Sequence, residues 1–221
     1  MPQPAGESTI TPDPFVTYVI GDIHGCLKPL KRLLAKIAPR PDDEVIFIGD
    51  YIDRGPQSRE VVDYLLTLTF RCVFLMGNHE KMLLDYLDGK DEDGIYLSNG
   101  GMATLQSYGG NLAQIPPAHL RFFRGLRPFY ETPEFLFVHA GIRPLVPLDQ
   151  QNPEDLVWIR HEFFQFIGQF AKTIVFGHTP LRRVLLLPDR IGIDTGCVYG
   201  GKLTCVKLPS REVVQVSGWR G

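Results

Sequence analysis

The sequence predicts an α/β protein, on three observations. Between residues 17 and 87, short runs of β-branched and aromatic residues alternate with apolar stripes of helical period, the pattern of βαβ units around a parallel sheet. Further short strand-like runs crowd residues 184–216, which predicts hairpins and a second, largely antiparallel sheet. Turn residues punctuate the whole chain, with 22 glycines and 18 prolines and no Gly-X-Y period to account for them.

The elements follow in order. Thr17–Ile20 reads as the first strand, and residues 28–38 set Leu30, Leu33, Leu34 and Ile37 on one helical face. A second strand at residues 45–48 precedes a helix over 58–68, with Val61, Val62, Leu65 and Leu66 apolar and Ser58 as the expected cap. A strand at 72–75 leads to a helix at 79–87. Residues 88–116 are acidic and then Gly-rich, with weaker helical character at 102–108 and at 118–124. Phe135–Val138 and Thr173–Phe176 are buried-strand runs, and strands at 184–187, 191–193, 203–208 and 212–216 complete the chain. With no linker and no repeat, the expectation is a single domain over residues 15–221 behind an extended Pro-rich tail, residues 1–14.

Composition narrows the function. The chain has 221 residues, 23 Lys+Arg against 25 Asp+Glu, and a formal net charge of −2. Such balance argues against a polybasic nucleic-acid or membrane-surface protein, whose affinity rests on clustered cations. The N-terminal stretch lacks the basic start and apolar core of an export signal, and no apolar run approaches the ~20 residues of a membrane span. A cytoplasmic protein is expected, with Cys26, Cys72, Cys197 and Cys205 as free thiols.

Five strand candidates end alike. They run into Gly21-Asp22-Ile23-His24-Gly25, Gly49-Asp50-Tyr51-Ile52-Asp53-Arg54-Gly55, Gly77-Asn78-His79-Glu80, His139-Ala140-Gly141 and Gly177-His178. Ligands of open α/β sheets bind beyond the carboxyl ends of strands. Imidazole, carboxylate and amide without thiolate suit borderline divalent ions such as Mn, Fe, Zn or Co. Six candidate ligands exceed what one catalytic ion with open positions can take, and suit two ions about 3.5–4 Å apart that share a carboxylate. One such motif alone would be a turn; five in series hold four of the six histidines. His119 and His161 lack this context and read as surface or capping residues.

Together these motifs resemble the phosphoprotein phosphatase family, in its bacterial serine/threonine form, within the calcineurin-like metallophosphoesterases. The match runs from Gly21 to about Tyr199. The resemblance implies an α/β/β/α sandwich of two mixed sheets, with Asp22, His24 and Asp50 on one ion. Asp50 would bridge to a second ion that also takes Asn78, His139 and His178. Mn²⁺ is the expected metal, with Fe, Zn, Co or Ni as alternatives. A water shared by the ions would attack phosphorus in line, while Arg54 forks onto phosphate oxygens. Arg160, in Asp155-Leu156-Val157-Trp158-Ile159-Arg160, would be a second phosphate arginine; its other reading is an exposed helix-end residue. His79, oriented and held protonated by Asp53, would protonate the leaving oxygen. Glu80 is expected to stabilise the helix start or the loop behind the metals, and Trp158 to pack. Arg143, Asp194 and Tyr199 reach the pocket rim or, for Asp194, cap a turn.

Two substrate classes and one non-catalytic reading follow. The resemblance favours phosphoserine and phosphothreonine proteins, because Asp53 supplies a partner for His79 where dinucleotide hydrolases typically have a small neutral residue, and because the third motif ends in Glu80. The alternative is symmetrical hydrolysis of diadenosine tetraphosphate. A metal-stabilised binding protein without catalysis would be expected to lack a ligand, the acid or the arginines, and none is missing. The Asp194–Tyr199 segment departs from the C-terminal loop of eukaryotic phosphatases, so no regulatory subunit is implied. Nucleic-acid and membrane partners are not expected.

Overall fold

The computed structural model describes residues 16–91 and 93–220; the predicted tail, residues 1–14, lies outside them. The first half runs β1 (Thr17–Ile20), α1 (Leu27–Ile37), β2 (Glu44–Phe47), α2 (Ser58–Leu65), β3 (Arg71–Phe74) and α3 (Asn78–Leu87). The second half runs α4 (Met102–Ser107), α5 (Pro117–Arg124), β4 (Phe129–Glu131), β5 (Phe135–Val138), α6 (Pro153–Trp158) and α7 (His161–Gln165). It ends with β6 (Thr173–Phe176), β7 (Leu185–Leu186), β8 (Arg190–Gly192), β9 (Lys202–Leu208) and β10 (Glu212–Ser217).

Two mixed five-stranded sheets result, ordered β10-β9-β1-β2-β3 and β4-β5-β6-β8-β7. β1, β2 and β3 are parallel, as are β5, β6 and β8. The expected single antiparallel sheet at the C-terminus is not what forms. β7 and β8 pair in the second sheet, whereas β9 and β10 fold back onto the first, with β9 antiparallel to β1 from Thr17↔Leu208 to Ile20↔Cys205. The reason is an edge: β1 would otherwise leave an unpaired side on a buried strand, and the apolar β9 closes it.

The sheets stack face to face through Val19, Ile46, Ile48 and Val206 from one and Phe137, Val175 and Ile191 from the other. Helices cover both outer faces. α1 buries Leu30, Leu33, Leu34 and Ile37 against the first sheet, each contributing about 1.5–3 kcal/mol of apolar burial. Leu156 and Phe163 of α6 and α7 cover the second with Leu136, Ile174 and Phe176. This is the four-layer α/β/β/α sandwich of the calcineurin-like fold.

Two local expectations change. Ser58 does not cap α2: Gln57 takes that position, and the Ser58 hydroxyl instead accepts the Asp53 amide at 3.0 Å. His119 is buried rather than superficial, held between the Tyr108 hydroxyl at 2.7 Å and the Asp63 carboxylate at 3.0 Å. The four cysteines are free. Among the described residues no helix is long and apolar enough to cross a membrane.

Candidate metal centre

The carboxyl ends of β1, β2, β3, β5 and β6 meet where the two sheets join, and each delivers its motif there. The turns are tight. His24, Asp50, Asp53, Arg54 and His178 all take positive φ, between 47° and 70°, a strained conformation that a rigid surrounding must enforce. Gly77 is required because a Cβ there would overlap the Asp50 carboxylate and amide, and Gly177 because one would overlap Asp22.

Ligand atoms of His24, Asp50 and His79 lie within 4.8 Å of one another, as do those of Asp50, His139 and His178. Asp50 is common to both groups. His24 Nδ1 donates to the Ile52 carbonyl at 2.9 Å and His139 Nδ1 to that of Ile48 at 2.8 Å. Their Nε2 atoms therefore carry no proton, and each faces an Asp50 oxygen at 3.4 Å. Burial drives the His24 pKa down to about 3 and lowers that of His139, so protonation does not supply the missing positive charge. Asn78 Oδ1 adds a third acceptor, 2.9 Å from both His139 Nε2 and His178 Nδ1. The Nε2 atoms of His24 and His139 thus face Asp50, and that of His139 also faces Asn78 Oδ1; acceptors converging on acceptors in a buried site fit divalent cations between them.

Asp22 stands slightly apart. It belongs to neither group, and its carboxylate accepts the His178 amide at 3.0 Å. Burial and the facing charges of Asp194 and Asp50 push its pKa well up, the mark of a carboxyl that lacks a counter-charge.

His79 is fully buried. Its Nδ1 lies 2.6 Å from Asp53 Oδ2, and its Nε2 is left without a partner. Asp53 is fixed in turn: Tyr96 donates to Oδ1 at 3.0 Å, Thr104 at 2.6 Å, and the Asp53 amide is shared between Thr104 and Ser58. Tyr96 and Thr104 come from the Gly-rich segment, which carried no chemical signal in the sequence. The same segment cradles Arg54, whose amide donates to the Gly100 carbonyl at 3.1 Å. Gly100, at φ 103°, leaves no room for a side chain beside it.

The arginines flank the cluster from opposite ends. Arg54 Nη1 lies 2.6 Å from His24 Nε2, and Arg160 Nε donates to His178 Nε2 at 3.0 Å. Tyr199, 62% exposed, lies under Arg54 at 5.8 Å. Trp158 does not pack inside the protein as expected. It is 37% exposed and sets its ring edge-on to His178 at 5.7 Å. Arg143 is drawn away from the cluster by a bidentate pair with Asp155 at 2.8 and 2.9 Å. Asp194 caps a turn through the Gly196 amide at 2.9 Å, and burial raises its pKa to about 6.

Glu80 holds the loop behind the site. Its carboxylate accepts the amides of Asp50 at 2.9 Å, Tyr51 at 2.7 Å, Ile52 at 3.3 Å and Gly77 at 3.1 Å. Glu80→Ala would orphan these buried donors. An unsatisfied buried group costs about 1–3 kcal/mol, so the expected loss is at least ~3 kcal/mol. Differential scanning calorimetry should read this as a Tm roughly 6–12 °C lower; an unchanged Tm would show that Glu80 does not anchor the loop.

Residues 15–208 match the family model for calcineurin-like phosphoesterase. The chain belongs to this family. As a calcineurin-like phosphoesterase it is a phosphoester hydrolase with groups suited to metal. The bis(5'-nucleosyl)-tetraphosphatase PrpE [asymmetrical] of Anoxybacillus flavithermus (strain DSM 21510 / WK1) is 28% identical, over 90% of this chain and 92% of its own length. The symmetrical bis(5'-nucleosyl)-tetraphosphatase of Janthinobacterium sp. (strain Marseille) is 27% identical, over 90% and 95%. A crystal structure of a candidate diadenosine tetraphosphatase superposes with a TM-score of 0.76 at 28% identity, covering 94% of this phosphoesterase and 95% of that chain. These names support the broader family and not its serine/threonine phosphatase branch, which the motifs had favoured.

Proposed function

We propose that this phosphoesterase hydrolyses dinucleoside tetraphosphates. The observation that carries the reading is its match, over 90% of the chain, to proteins named as bis(5'-nucleosyl)-tetraphosphatases. The geometry is compatible with a chain of phosphates. One arginine stands at each end of the cluster, Arg54 beside His24 and Arg160 beside His178, so anionic oxygens are met on both sides of the reacting phosphorus.

His24, Asp50, Asn78, His139 and His178, with Asp22, would hold two divalent ions, which supply an acidified water and positive charge opposite the phosphoryl oxygens. The remaining steps belong to side chains. Arg54 and Arg160 bind and orient the substrate, and their charge grows in value as negative charge develops in the transition state. His79 Nε2 faces the cluster with no protein partner and holds the proton for the departing oxygen, while Asp53 on Nδ1 fixes the ring.

A second reading, hydrolysis of phosphoserine and phosphothreonine in proteins, is favoured by that 2.6 Å Asp53–His79 pair, because an alkoxide leaving group needs a proton more than a phosphate does. Kinetics on diadenosine tetraphosphate and a phosphoserine peptide separate the two. The expected kcat/KM is at least about tenfold higher for the dinucleotide, and the reverse ratio would establish the second reading. Two ADP as products identify symmetrical cleavage; ATP and AMP identify asymmetrical cleavage.

A further inference from the structure

Beside the arginine-flanked cluster lies a cavity of about 390 Å³ between α3, α6 and the segment around Ile95. The Trp158 ring forms one wall, Met82 and Ile95 contribute apolar surface, and Asp85, Asp91 and Glu154 stand around it with Lys81 and Lys90. Lys81 bridges Asp85 at 2.6 Å and Glu154 at 2.8 Å, so the acids hold a fixed arrangement. Asp91 is fixed by the Ile95 and Tyr96 amides. The cavity adjoins the phosphate site at Trp158, whose ring lines it and also lies 5.7 Å from that of His178, the residue to which Arg160 donates.

We propose that this cavity is a nucleoside subsite, with the base against Trp158 and the ribose hydroxyls or an exocyclic amine donating to the carboxylates. The proposal rests on the nucleotide reading above and adds where one nucleoside of the ligand is recognised. A volume of this size suits one base and sugar. An exposed tryptophan offers the flat face on which any base stacks. Carboxylates around the cavity accept hydrogen bonds from an uncharged, donor-rich group, and with Lys81 and Lys90 offsetting most of their charge the cavity has no cationic excess to draw phosphate in.

The opposite end of the cluster has the reverse character. Beyond Tyr199, Gly200 and Gly201 border a pocket of about 620 Å³ lined by Arg182, Arg183, Lys202 and Arg220 with no carboxylate. The phosphate chain is attracted toward that side, which leaves one of the two nucleosides for the Trp158 side.

The test uses AMP and ribose 5-phosphate as competitive inhibitors of para-nitrophenyl phosphate hydrolysis by the metal-loaded protein. They share sugar and phosphate and differ only in the base. AMP is expected to have the lower Ki by about tenfold or more, the scale of one base–aromatic stack. Trp158→Ala should raise the AMP Ki at least about fivefold, with a shift under about twofold for ribose 5-phosphate, and Trp158→Phe should restore most of the difference. Ile95→Asp changes an exposed side chain away from the ligand turns and should weaken AMP selectively as well. Equal Ki values for the two inhibitors, or a loss in Trp158→Ala or Ile95→Asp that is the same for AMP as for ribose 5-phosphate, would overturn the subsite. Because the readout is para-nitrophenyl phosphate, the result stands independently of whether diadenosine tetraphosphate is turned over.

Discussion

Asp50→Asn is expected to cut hydrolysis of every phosphate substrate by roughly 10³-fold or more, through loss of metal rather than loss of fold. Asp50 is the one carboxylate common to both ligand groups, with an oxygen 3.4 Å from His24 Nε2 and another 3.4 Å from His139 Nε2. Asparagine keeps the shape, so the strained turn at residue 50 can still close and Glu80 can still accept its amide at 2.9 Å. What disappears is the negative charge that balances two cations in a buried site, together with one of the two anionic donor atoms. Metal analysis after dialysis should fall from about two ions per chain to below about one. Thermal shift gives the second check, since a ligand at 100 times its Kd stabilises the folded state by about 2.7 kcal/mol, and the variant should lose most of that response to Mn²⁺. Full metal content in Asp50→Asn would remove Asp50 from the bridging position.

His79→Asn should retain both ions and still lose about 10²–10⁴ in kcat on alkyl phosphomonoesters, the usual contribution of a positioned general acid. The ring is buried, its Nδ1 is held by Asp53 at 2.6 Å, and its unpartnered Nε2 is left for the substrate. Aryl phosphates and phosphoanhydrides depart as well-stabilised anions and need less protonation, so their losses should be smaller. The ratio of the two losses thus reports the chemistry for which the Asp53–His79 pair is built. Both substrate readings expect a large loss on alkyl esters and a small one on diadenosine tetraphosphate, because the difference follows from the leaving group. Equal losses on all substrates would exclude the acid role.

Much of the site was legible because it is local. Each strand and the polar residues that follow it are contiguous, so Gly21–Gly25, Gly49–Gly55 and Gly77–Glu80 announced both the turn and the ligand types. The support for Asp53 was not legible. Tyr96, Thr104 and Ser58 reach it from segments up to 51 residues away, and no spacing rule links a hydroxyl in a Gly-rich stretch to a carboxylate in another loop. Trp158 was misread as a packing residue because burial depends on which face of a one-and-a-half-turn helix meets the second sheet. His119 was misread for the same reason, its partners Tyr108 and Asp63 being supplied by other helices.

The substrate divides along the same line. The sequence by itself determined an α/β phosphoesterase, since the identity of metal ligands and the turns that present them are properties of short contiguous segments. It did not determine which sheet the last two strands join, because pairing is decided by which buried edge remains open after the others have formed. Nor did it show that the Trp158 ring beside His178 also lines a cavity with carboxylates and lysines, or that a basic pocket forms at Gly200 and Gly201. Those surfaces are assembled from residues between 81 and 220 that lie far apart in the chain, and only their packing around the two joined sheets brings them to the phosphate site.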